Sequence, residues 1–172
     1  MDVDYLDCQG TFSVLCDPAL YGAGETVLRY RVWREEGSRG DPKEALDFVR
    51  EHYRQGYGQV LAGVCAAYRR SPLWDVWMGD DERPARLEFT AKEELHPYMG
   101  TPDVELAFYG DSFLWGLTFG GKGNRLSIEH GLCAVYEGAV LAALVDSTDF
   151  PNILRWWEEY KANNILADLP SV

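Results

Sequence analysis

At 172 residues and 47% apolar content, the chain has the length of one domain and enough apolar material to fold without disulfides or a metal. Its net charge of −12 excludes the basic face that phosphate attraction requires, so nucleic acid is not an expected partner. No run approaches the roughly 18 apolar residues of a membrane span, and the acidic start Met1-Asp-Val-Asp-Tyr-Leu-Asp lacks the positive residues of a secretion signal; both predict a cytoplasmic protein without membrane contact.

In chain order, Thr11-Phe-Ser-Val-Leu-Cys reads as strand, bounded by Asp17-Pro and Gly22-Ala-Gly. Thr26 to Trp33 alternates with period two, with Leu28, Tyr30 and Val32 on one face and Val27, Arg29, Arg31 and Trp33 on the other. Gly37-Ser-Arg-Gly-Asp-Pro breaks the chain. Asp41 is a natural N-cap, Pro42 suits the first helical position, and an apolar stripe from Leu46 to Tyr68 follows. Gly56 and Gly58 predict a kink in this helix or its division into two. Ser71-Pro72 stops it. Asp80-Asp-Glu-Arg-Pro is a loop, Ala85 to Thr90 alternates like a strand, and Thr90 precedes a short helix ending near His96-Pro97.

The second half reads as a meander of hairpins: 104–109, 113–119, 126–136 and 139–145, separated by turns such as Gly110-Asp111 and Glu137-Gly138. Asp146-Ser-Thr-Asp-Phe-Pro starts a last helix. Ile153, Trp156, Trp157 and Tyr160 share one face of it, a bulky face that must dock on something, with Trp156 and Trp157 most simply in the core. The class is α+β: one domain over 1–172, an antiparallel sheet with helices packed on one face.

No catalytic set emerges from the motifs. The four cysteines, Cys8, Cys16, Cys65 and Cys133, include no Cys-x-x-Cys pair and read as free thiols. His52, His96 and His130 stand at no metal spacing, so neither a metal nor another cofactor is expected. Gly120-Gly-Lys-Gly-Asn lacks the Ser or Thr and the helix of a phosphate loop, and reads as a hairpin turn. Glu129 and His130 adjoin Cys133, the one place where a thiol, an imidazole and a carboxylate crowd together. On a regular strand residues 130 and 133 point to opposite faces, so that pairing requires a bulge at Gly131.

Charge is uneven. Residues 73–111 hold ten acids against three basic residues. Within that stretch Trp74, Asp75, Trp77, Asp80, Asp81 and Glu82 place aromatics beside acids, the composition of an anchor for a basic partner.

The passage Phe113-Leu-Trp-Gly-Leu-Thr-Phe, Ser127-Ile-Glu-His-Gly-Leu-Cys-Ala-Val and Gly138-Ala-Val-Leu resembles a family of uncharacterised small bacterial domains with a Glu-His-Gly-Leu-Gly-Val-type strand, similar in style to toxin-immunity proteins. Cys133 stands where that family has Gly. The resemblance covers about a third of the chain and implies a bacterial intracellular protein, lending no activity to Glu129, His130 or Gly131 beyond a turn and a local hydrogen-bonding pair.

The expectation is therefore a non-enzymatic module that binds a basic protein partner, of the kind an immunity protein makes with a basic toxin or nuclease. The rival is a small enzyme or ligand-binding domain built on Glu129, His130 and Cys133. A homodimer through the Trp156 helix is the third reading.

Overall fold

Residues 3–70, 88–120, 124–126, 131–162 and 164 are described by a computed structural model. A 13-residue strand, β1 (Val3–Leu15), runs to a single helical turn, α1 (Pro18–Tyr21), capped by Asp17. The alternating stretch forms β2 (Glu25–Glu35) and pairs antiparallel with β1. Next comes α2 (Pro42–Arg70). Asp41 starts it, its side chain accepting the Lys43 N–H at 2.8 Å. A 3-10 turn (Lys92–Leu95) leads into α3 (His96–Met99). Glu94 reaches back here, accepting from the Thr90 hydroxyl and from the Ala91 N–H.

Then follow β3 (Asp103–Tyr109), β4 (Ser112–Phe119), β5 (Leu132–Glu137) and β6 (Val140–Val145). The four pair antiparallel in sequence, as the turn spacing predicts. All six strands make one sheet in the order β1-β2-β3-β4-β5-β6. Among the described residues the one parallel pairing, β2 with β3, exists because α2 carries the chain across the sheet between them. Of the predicted 126–136 strand, β5 covers Leu132–Glu137, Leu126 makes an isolated bridge, Gly131 is not strand, and 127–130 lie outside the described residues. Phe89 is buried but lies outside any strand.

Strand alternation sends Leu106, Trp115, Ala134 and Tyr136 to one face and Ala107, Leu114, Cys133 and Val135 to the other; the two sets belong to separate core clusters. Helix α2 covers the first face and contacts both edge strands. The α+β class and the mainly antiparallel sheet match expectation, but helices lie on both faces. The second is packed by α4 (Phe150–Arg155) and α5 (Trp157–Ala162) through Phe150, Ile153, Leu154 and Trp157.

Two expectations are corrected. The glycines do not divide α2, which is continuous over 29 residues. Gly56 instead admits a close approach: a Cβ there would lie 2.8 Å from the Trp115 ring. Trp115 stacks on Tyr136 with centroids 3.8 Å apart, and the Tyr136 hydroxyl donates to the Gly56 carbonyl at 2.9 Å. The second correction concerns Trp156. The helix breaks at this residue (φ −110°, ψ 32°), which rotates it out of the apolar stripe and leaves it 54% exposed while Trp157 is buried.

Candidate functional site

The last helical segment starts at a well-defined cap and is interrupted at Trp156. Asp149 caps α4 by accepting the Asn152 N–H at 3.3 Å, and Pro151 sits in the first turn. After the six residues of α4 the backbone leaves helical geometry at Trp156, and α5 restarts with Trp157 turned inward. Trp157 is held by its indole N–H to Glu137 at 3.3 Å and by Lys161, whose ammonium lies 5.4 Å from the ring centroid. Lys161 also bonds Glu137 at 2.8 Å, which holds that carboxyl below its ordinary range.

Trp156 faces a cavity of about 530 Å³ beside the edge strand β6. Tyr160 adds a second ring, Leu144 and Val145 an apolar surface, and Asp146 and Glu159 the charge. That volume lies within the range of pockets that take small ligands or single side chains. An aromatic face beside carboxylates suits a cation, through the ring quadrupole and Coulomb attraction together.

A polar cluster occupies the same sheet face further along. Glu105 is completely buried and accepts from Arg31, from the Trp33 indole at 2.8 Å and from the Thr118 hydroxyl at 3.1 Å. Burial pushes its carboxyl up, against the lowering effect of those three donors. Asp103 accepts both ends of the Arg29 fork, at 2.9 and 3.1 Å.

On the α2 side, His96 and three tyrosines form a hydrogen-bonded group. Tyr57 bonds His96 Nδ1 at 2.8 Å, and the Tyr21 and Tyr53 hydroxyls are 2.7 Å apart. Burial lowers the His96 imidazole, so its neutral form is favoured, and burial raises all three phenols. Phenols held protonated and packed ring on ring serve the core.

Of the residues singled out from sequence, Trp74, Asp75, Trp77, Asp80, Asp81 and Glu82 lie outside the described residues, as do Glu129 and His130. Cys133 is wholly buried on β5, and burial drives its thiol well above the ordinary range, so it lacks both the access and the thiolate character of a nucleophile. Gly131 has a φ of +76°, and a Cβ there would lie 2.8 Å from the Phe119 carbonyl oxygen; this is a turn glycine under steric demand. All four cysteines are free. His52 stacks on Phe48 and bonds its carbonyl at 2.8 Å. Among the described residues no cluster of His, Cys, Asp and Glu has metal-binding geometry, and no helix is long and apolar enough to cross a membrane.

Sequence reasoning missed the Trp156 cavity because a regular helix puts that ring inside. The signal was available in two acids, Glu158 and Glu159, immediately after the paired tryptophans: they suit the first turn of a new helix. No family model, curated protein or solved structure matches this chain.

Proposed function

We propose that the chain is a non-enzymatic module that binds a basic protein partner, with Trp156 as its anchor. The observation that carries this reading is an exposed tryptophan on a cavity whose charged lining residues, Asp146 and Glu159, are both acidic, in a chain of net charge −12. The ring supplies contact area and a cation-binding face, and the carboxylates steer and orient an incoming Lys or Arg. An immunity-type inhibitor of a basic toxin or nuclease is the kind of protein this chemistry serves. The aromatic and acidic stretch from Trp74 to Glu82 repeats the same composition and belongs to the same proposal.

Titration with an arginine-rich peptide, and with its citrulline counterpart, tests the reading. The arginine peptide binds more tightly, and Trp156→Ala weakens it by about 2 kcal/mol, the loss typical of an interface anchor. Asp146→Asn combined with Glu159→Gln slows association, most strongly at low salt. Equal affinity of wild type and Trp156→Ala removes the anchor. A wild-type dimer that Trp156→Ala converts to monomer assigns the ring to self-association instead.

A further inference from the structure

We infer that the Arg29–Arg31 stretch of β2 carries a second binding site, for a small oxyanion such as phosphate or a carboxylate. The inference is independent of the partner-binding proposal and rests on different residues.

The site follows from where the helices stop. On the second face α4 and α5 pack over Ala107, Leu114, Cys133 and Val135. The first half of β2 is left at the surface, with Val27 62% exposed and the Arg29 side chain 72% exposed. Period-two alternation sends Arg29 and Arg31 to that surface, and the parallel register sets Arg31 beside Glu105 of β3. A cavity of about 250 Å³ opens there, lined by Arg29, Arg31, Thr101, Asp103, Thr118 and Thr148.

The donors in this lining outnumber the acceptors. Asp103 is engaged by Arg29 on both oxygens and lies 3.7 Å from Arg31. Glu105 already accepts from Arg31, Trp33 and Thr118. Among the described residues the Arg31 Nε–H is nevertheless buried without an acceptor. A buried guanidinium donor left unpaired is costly, so the cluster is short of an oxygen. Two guanidiniums and the Asp103 carboxylate line the cavity, with the Glu105 carboxylate buried behind Arg31, so preference for an anion comes from the guanidinium N–H donors and not from net charge. Guanidinium also has no lone pair with which to hold a metal. Its planar fork matches carboxylate and phosphate oxygens, and Thr101 and Thr148 add hydroxyls to the lining. The volume falls below the roughly 300 Å³ at which drug-sized pockets begin, so the ligand is a small ion or the charged end of a larger molecule.

Binding is read from the Arg31 Nε–H resonance of the whole protein at constant ionic strength, titrated with inorganic phosphate, with acetate, and with chloride as the control. A saturable shift with phosphate or acetate, and none with chloride, is expected; the anion that saturates at lower concentration identifies the source. Arg29→Gln alters an exposed side chain and leaves the Arg31–Glu105 pair in place. It should weaken the binding about tenfold, the equivalent of one charge-assisted hydrogen bond. Shifts that never saturate, that chloride reproduces, or that Arg29→Gln leaves unchanged overturn the site.

Discussion

On the first face of the sheet, α2 packs across from β1 to β6 and brings Val49, Tyr53, Val60 and Val64 to complete burial against the strands. On the second, two six-residue helices bury Cys133 and Val135 but leave the start of β2 at the surface and Trp156 half out of the core. Both faces draw on the same aromatic supply. They differ in how continuous the covering helix is. A helix of 29 residues keeps one stripe against the sheet throughout, whereas a break after six residues rotates the next side chain outward. Interruption of a covering helix thus creates accessible aromatic surface without exposing the core itself.

Substitutions sharpen the contrast. Trp115→Ala removes a fully buried ring stacked on Tyr136 and should cost about 3–5 kcal/mol in urea unfolding. A loss under about 1 kcal/mol would mean that the first face is not tightly packed. On the second face the adjacent tryptophans should separate. Trp157→Ala should cost about 3 kcal/mol, while Trp156→Ala stays within about 0.5 kcal/mol. Equal losses would place both rings inside and restore an unbroken amphipathic helix.

Gly56→Ala tests the close approach beneath α2. Alanine favours a helix by about 1 kcal/mol over glycine, but its Cβ must displace the Trp115 ring, an overpacking cost of about 1–3 kcal/mol. The expected net effect is a loss of about 1 kcal/mol; a gain would mean that the ring yields freely.

Acidity distinguishes the faces more finely. The folded-state carboxyl of Glu105 is raised by burial, so between the ordinary carboxylate range and that raised value the folded protein binds the extra proton. Its contribution to stability is therefore largest at acidic pH and falls as pH rises through that window. Glu105→Gln should flatten this part of the profile relative to wild type. Identical slopes would mean that the three donors around Glu105 cancel the effect of its burial.

Much of the frame was legible from local pattern. Alternation marked β2, the Asp41-Pro42 pair marked the start of α2, and turn spacing marked the meander from β3 to β6. The functional surface was less so, because it arises from departures and from distance. Gly56 reads locally as a helix breaker, and only the Trp115 ring, supplied by β4, explains it. Glu105 sits in the apolar run of β3, and its partner Arg31 is 74 residues earlier in the chain. Trp156 fits the helical period perfectly until the backbone departs from it. Periodicity describes a regular element; it carries no information about where the element stops being regular.

As an anchor, Trp156 must be open in the free protein while Trp157 beside it is closed. Hydrogen exchange of the indole Nε1–H groups in the free protein measures this directly. The Trp115 and Trp157 indoles, bonded to Gly138 and Glu137, should exchange slowly, and Trp156 should exchange fastest of the three. Protection of Trp156 equal to that of Trp115 would show its ring covered in the free protein and would contradict the proposed anchor.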